Sequence, residues 1–260
     1  MEVIIAPSDR EASAEAARLA GSVIRRKSRA VLGLATGSTP LAFYEELAAA
    51  HARGEVDFAE VMTFNLDEYV GLAPDHPQSY AHFMREHFFS KVNIAHWRTH
   101  IPDGLAADIP AHCKAYETAI LEAGGIDLQL LGIGSDGHIG FNEPSSSLGS
   151  RTRLKTLSEQ TIRDNARHFA SPAEVPRHVI TMGVGTILDA RRCLVLAFGK
   201  QKAAAVAAMV EGPITADLPA SALQFHPACT LFLDEPAAAQ LKRADYYRWV
   251  YANKPDWQRA

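Results

Sequence analysis

The segment Ser135-Asp136-Gly137-His138-Ile139-Gly140-Phe141-Asn142-Glu143-Pro144 places two carboxylates and an imidazole within eight residues. A carboxylate beside an imidazole can fix its tautomer, and the imidazole then moves protons near neutral pH. The run before it, residues 126–133, is apolar and short enough to be a buried strand. Titratable groups at the carboxyl end of a parallel strand occupy the place where open α/β sheets bind their ligands. A polar loop in which Asp136 only caps a turn would draw on the same residue types.

Two further segments end strand-like runs. Leu34-Ala35-Thr36-Gly37-Ser38-Thr39-Pro40 leads into a helix. Its glycine permits close approach of backbone to ligand, and free N–H groups at a helix start favour an anion such as phosphate. It lacks the spacing and lysine of a P-loop. Taken alone, it serves equally as a phosphate cradle or a helix cap. Thr63-Phe64-Asn65-Leu66-Asp67-Glu68-Tyr69 sets two carboxylates after an apolar run. An enclosed carboxylate there would have a raised pKa and suit a general base, although an aspartate that simply opens the next loop fits the pattern as well. No nucleophile elbow and no metal-ligand spacing is evident. The inventory suits proton movement on a small phosphorylated molecule.

The elements that must position these groups alternate. Strands are expected at 3–6, 30–35, 61–66, 126–133, 179–184, 193–198 and 230–233. Helices are expected at 8–27, 40–53, 80–89, 107–123 and 200–211, with a closing helix from 236. Ser8 with Glu11 forms a capping-box pattern. The alternation predicts a single α/β domain over 1–260, an open, mostly parallel, Rossmann-like sheet with helices on both faces. Residues 151–177 are polar and rich in Arg, Thr and Ser, without a clear strand pattern. They read either as an active-site lid or as a surface helical excursion.

Composition narrows the classes. The chain has 260 residues, net charge −4, 47% hydrophobic and 22% charged residues. That balance gives no global pull toward nucleic acid or an anionic membrane. No apolar run reaches the ~20 residues needed to span a bilayer. The N-terminal residues lack the features of a signal peptide, so a cytoplasmic location is expected. Cys113, Cys193 and Cys229 are far apart and read as buried, reduced thiols.

The three segments together resemble the glucosamine-6-phosphate deaminase family. So do Ser150-Arg151-Thr152-Arg153-Leu154-Lys155-Thr156-Leu157, Thr181-Met182-Gly183-Val184-Gly185-Thr186 and Gln201-Lys202-Ala203. The resemblance runs nearly end to end. The Gly-Ser-Thr-Pro loop is shared with the related 6-phosphogluconolactonases, whereas the Asp-Glu-Tyr and Gly-Phe-Asn-Glu-Pro pieces resemble the deaminases.

The resemblance implies conversion of glucosamine 6-phosphate and water to fructose 6-phosphate and ammonia, without a cofactor or metal. It assigns ring opening to His138 with Asp136 and Glu143, and the C2 proton to Asp67. Substrate phosphate would rest on Gly37, Ser38 and Thr39, with Arg167 and Lys202. It further implies a hexamer activated by N-acetylglucosamine 6-phosphate at a second site, formed by Ser146, Arg153, Lys155 and Thr156. One departure stands out: the tyrosine that regulated members carry near the C-terminus aligns at Arg248, just after Tyr246 and Tyr247. The competing readings are a lactonase of the same fold, which needs no carbon base at Asp67, and a non-catalytic sugar-phosphate sensor. The intact set Asp67, Asp136, His138 and Glu143 disfavours the sensor.

Overall fold

The computed structural model describes residues 1–166, 169, 171, 174–255 and 258. Ten strands and nine α-helices follow one another in these residues. The strands are β1 Glu2–Ala6, β2 Val31–Leu34, β3 Met62–Asn65, β4 Asp67–Tyr69, β5 Thr99–His100, β6 Leu128–Gly132, β7 Arg153–Thr156, β8 His178–Thr181, β9 Cys193–Ala197 and β10 Cys229–Asp234. The helices are α1 Asp9–Arg26, α2 Leu41–Ala52, α3 Tyr80–His87, α4 Ile109–Glu122, α5 Glu159–Asn165, α6 Val184–Leu188, α7 Ala203–Glu211, α8 Glu235–Ala238 and α9 Ala244–Ala252.

Seven strands form a parallel sheet in the order β1-β10-β9-β6-β2-β3-β5. Its central strands are apolar on both faces, as a sheet covered by helices on both sides demands. Leu130, Leu131, Leu194, Val195, Leu231 and Phe232 have no measurable exposure. Burying each such side chain contributes about 1.5–3 kcal/mol. Alanines set the closeness of α1: Ala12, Ala16 and Ala20 recur every four residues and are fully buried. That helix begins as its sequence predicts, with Ser8 Oγ accepting from the Glu11 N–H at 3.2 Å.

Strands β4, β8 and β7 form a second, antiparallel sheet in that order. Here the structure departs from the sequence reading. The expected strand 179–184 is shorter, pairs outside the main sheet, and gives way to α6 at Val184. The segment after residue 151 opens with β7. Its four residues alternate, but the one apolar side chain, Leu154, is 45% exposed, so the usual apolar-inward signal is inverted.

Candidate active site

Loops from four neighbouring strand ends meet at the carboxyl edge of the main sheet. The strands are β9, β6, β2 and β3, in that spatial order. From β2 the chain runs one way to β3, while β6 lies on the other side of β2. The pair β6/β2 is therefore a topological switch point, where such sheets open a crevice.

The β6 loop carries the first titratable pair. Asp136 Oδ1 lies 2.6 Å from His138 Nδ1 and accepts the His138 backbone N–H at 3.2 Å. This hydrogen bond from His138 is the main reason that the Asp136 carboxyl is held down at about 2. A charged carboxylate facing Nδ1 holds the proton there, which leaves Nε2 of the neutral ring able to accept one. The ring is also fixed from behind. A Cβ on Gly134 would stand 2.2 Å from its Nδ1 and Cε1. The loop closes through Gly134 N–H to His138 O at 2.9 Å.

Asp67 starts β4, just past the end of β3, and is 5% exposed. Burial, helped by the neighbouring Glu68 charge, pushes its carboxyl up to about 8. Gly140 of the β6 loop lies directly against it. A Cβ there would be 3.4 Å from Asp67 Oδ2 and 3.0 Å from Thr181 Oγ1, and the residue has φ +56°. Only a glycine meets both demands. Glu68, buried on the other face of β4, has a different task. Its carboxylate accepts the N–H groups of Tyr69 at 2.8 Å, Tyr80 at 3.0 Å and Ala81 at 2.9 Å, and so ties β4 to the start of α3. Burial raises its carboxyl, and these three bonds oppose the rise.

Glu143 lies in the same loop as His138, but its bonds among the described residues run elsewhere. Its Oε1 accepts the Ser158 N–H at 3.2 Å and the Ser158 hydroxyl at 2.7 Å, and it also binds the Thr161 hydroxyl. Ser158 is the N-cap of α5, so Glu143 fastens the segment after β7 to the site loop. An aromatic cluster completes this attachment, with Tyr69 packed at 5.9 Å from both Phe141 and Phe169.

The loop after β2 runs through a glycine turn into a helix. Gly37 has φ +98°, and no described atom lies within 4 Å of the position its Cβ would take. Gly37 and Ser38 are exposed, Thr39 is half-buried, and the twelve-residue helix α2 begins at Leu41. Two strands away, in the turn after β9, the Gly199 N–H donates to Asp234 at 2.9 Å, which fixes the turn that presents the half-buried Lys202. Arg167 lies outside the described residues.

The second-site residues are only partly together. Ser146 is buried, and its hydroxyl has no hydrogen-bond partner among the described residues. Arg153 and Lys155 share one face of β7, whereas Thr156 is on the opposite, exposed face. Sequence reasoning missed what joins these residues to Asp67. Asp67 pairs with Thr181, and Thr181 pairs with Arg153, so the three form one rung across the small sheet. Rung partners in an antiparallel sheet point to the same face. No local pattern carries that signal, because the rung joins three distant segments.

Comparison with known proteins follows the same lines. Residues 8–231 match the family model described as glucosamine-6-phosphate isomerases/6-phosphogluconolactonase. A glucosamine-6-phosphate deaminase of Arthrobacter sp. (strain FB24) is 58% identical over 258 residues, 99% of each chain. One of Streptomyces coelicolor (strain ATCC BAA-471 / A3(2) / M145) is 56% identical over 259 residues, again 99% of each chain. Among solved structures, a monomeric glucosamine-6-phosphate deaminase superposes with a TM-score of 0.90 at 45% identity, covering 92% of this chain and 100% of that one. The 6-phosphogluconolactonase of Trypanosoma brucei shares the fold at a TM-score of 0.74 and 20% identity, covering 92% of this chain and 98% of that one. The chain belongs to the glucosamine-6-phosphate isomerase/6-phosphogluconolactonase family, and relatives 56–58% identical over 99% of its length are glucosamine-6-phosphate deaminases.

Proposed function

We propose that this enzyme converts glucosamine 6-phosphate and water to fructose 6-phosphate and ammonia, as a step of amino-sugar breakdown, with residues 1–260 acting as one unit in the cytoplasm. The observation that carries the reading is the presence of two separate proton-handling groups. The Asp136–His138 pair sits on the β6 loop, and the buried Asp67 sits past the end of β3. Lactone hydrolysis needs no base for a carbon-bound proton. Isomerisation does.

His138 takes the proton from the C1 hydroxyl of the cyclic sugar and delivers it to the ring oxygen as the bond from that oxygen to C1 breaks, which opens the ring. Asp136 supports the positive charge that the imidazole gains meanwhile. Asp67 then removes the C2 proton, the electron pair forms the C1–C2 double bond, and the C1 oxygen takes a proton from the substrate's ammonium group, which gives the enolamine. Return of a proton at C1 gives the C2 iminium. Water adds to it, and ammonia leaves. A carboxyl at about 8 is a much stronger base when ionised than an ordinary aspartate, which matches it to a carbon acid. Glu143 assists this chemistry from the loop that it shares with His138. Phosphate rests on the Gly37-Ser38-Thr39 loop, where a helix start and a glycine-rich turn favour a dianion, with Lys202 and Arg167 as its cations.

The test is product release by the purified protein. One ammonia per fructose 6-phosphate from glucosamine 6-phosphate supports the reading. Turnover of 6-phosphogluconolactone with no ammonia release would replace it with lactonase chemistry.

Activation by N-acetylglucosamine 6-phosphate and assembly into a hexamer form a second reading. The cations Arg153 and Lys155 on one face of β7, and the buried Ser146 hydroxyl that has no hydrogen-bond partner among the described residues, favour it. The 45% identical relative described as monomeric weighs against the hexamer. A sigmoidal rate curve made hyperbolic by the acetylated sugar supports activation. A hyperbolic curve that this sugar leaves unchanged removes it, and sedimentation of the free protein decides the assembly.

A further inference from the structure

We propose that Thr181 is a positioning residue of this site: its hydroxyl docks the proton-handling loop onto Asp67. The proposal rests on the deamination reading above and adds a residue to which no role has been given. Thr181 ends β8 and has no measurable exposure. Its Oγ1 accepts the Phe141 N–H at 3.1 Å. Phe141 lies between His138 and Glu143 in sequence, and the Ile139–Asn142 bridge makes residues 139–142 a tight turn.

The same threonine is the rung partner of Asp67. One residue therefore touches the loop through its side chain and the base-bearing strand through its backbone. Between them stands Gly140, where a Cβ would lie 3.0 Å from Thr181 Oγ1 and 3.4 Å from Asp67 Oδ2, so only a glycine leaves room for both. Asn142 braces the turn from the other side. Its Nδ2 donates to Ile139 O and to Met182 O, each at 2.8 Å, and the Met182 N–H returns to Leu66 O at 2.7 Å. The bracing groups thus converge on residues next to Thr181 and Asp67.

Two consequences follow. The hydroxyl sets the offset of His138 and Glu143 from Asp67, and so the offset between the ring-opening group and the carbon base. It also holds the loop at Gly140 over the buried Asp67 carboxylate, which keeps water from it. Neither task requires contact with the sugar phosphate, so the loss should fall on turnover rather than on binding.

The experiment compares Thr181→Val and Thr181→Ser with the unaltered enzyme, on glucosamine 6-phosphate. Valine keeps the shape and removes the hydroxyl, while serine keeps the hydroxyl. For Thr181→Val the expected kcat is at least tenfold lower with KM within twofold, and the acid limb of the pH–rate profile moves to lower pH as water reaches Asp67. Thr181→Ser should retain at least half of kcat. A Thr181→Val enzyme with kcat within twofold of normal overturns the proposal. So does a serine variant as impaired as the valine variant. If the valine variant does not fold, Thr181→Ala is read by the same criteria. Hydrogen exchange adds a readout independent of turnover: the Phe141 amide should exchange at least tenfold faster in the valine variant, and unchanged protection there overturns the proposal. Failure of the unaltered enzyme to release ammonia would instead strike the deamination reading.

Discussion

His138 Nδ1 and Asp136 Oδ1 are 2.6 Å apart, and the imidazole fills the space in front of Gly134 that any side chain there would take. The ring is thus held by a carboxylate on one side and by the lack of a side chain on the other. Asp136→Asn keeps the size but lets the ring choose its tautomer. General acid–base catalysis is worth about 10²–10⁴ in rate, so kcat should fall by at least ~10², and most on the cyclic substrate. Comparing rates with cyclic and open-chain forms of the substrate checks this. Equal loss on both would remove ring opening from the role of the pair.

Gly134→Ala tests the same geometry without touching a titratable group. The new methyl would stand 2.2 Å from the ring, so the imidazole must swing away from Asp136. A displacement of about 1 Å can cost about 10² in rate, and that is the expected loss in kcat. The ring is one-third exposed and free to move outward, so the thermal midpoint should change little. Steady-state kinetics with a melting curve separate the two.

The pH dependence follows from Asp67. Its carboxyl, ordinarily near 3.8, is pushed up to about 8 by burial and the Glu68 charge. Between about pH 4 and 8 the folded protein holds a proton there that the unfolded chain has released, so the contribution of Asp67 to stability falls as pH rises through that window. The base form grows over the upper end of the same window, so kcat/KM should rise toward a plateau above about pH 8. Asp136 acts in another range. Held down at about 2, it contributes stability that is present above 3.8 and is lost as pH falls through about 2. Melting curves from pH 5 to 8 should show a decline in the unaltered enzyme that is reduced in Asp67→Asn.

Glu68 separates architecture from chemistry. Its carboxylate serves three backbone N–H groups at the junction of β4 and α3. Glu68→Ala leaves them without that acceptor and should destabilise the protein by about 2–3 kcal/mol, allowing for the relief of burying one less charge. Denaturant titration measures this.

Lys202→Ala should raise KM for the phosphorylated substrate about tenfold and leave kcat within threefold, because a charge on the phosphate acts in ground and transition state alike. An unchanged KM would move the phosphate elsewhere.

The parts of the candidate site that were legible in the sequence are those whose residues are contiguous. Asp136 and His138 are two apart, and Gly37-Ser38-Thr39 is a single turn, so residue types and a preceding apolar run were enough to single them out as candidates. The main sheet was equally readable, since strands buried on both faces are simple apolar runs. The small sheet was not. β7 turns its leucine outward and its cations inward, and β4 is three residues long. The partners of Glu143 lie at the N-cap and in the first turn of α5, 15 and 18 residues away, and nothing local announces them. The same holds for Thr181, whose importance comes from lying between Asp67 and Arg153. Pairing between distant segments decided these features.

The central claim is that a carbon-bound proton is moved by Asp67, apart from the proton movements at His138. The most direct test is the rate of ammonia and fructose 6-phosphate release by Asp67→Asn beside the unaltered enzyme. The account predicts equal amounts of both products from the unaltered enzyme and a kcat at least ~10³ lower in the variant, with KM within a few-fold, because the change removes a base and almost no volume. A variant that releases ammonia at a near-normal rate would contradict it.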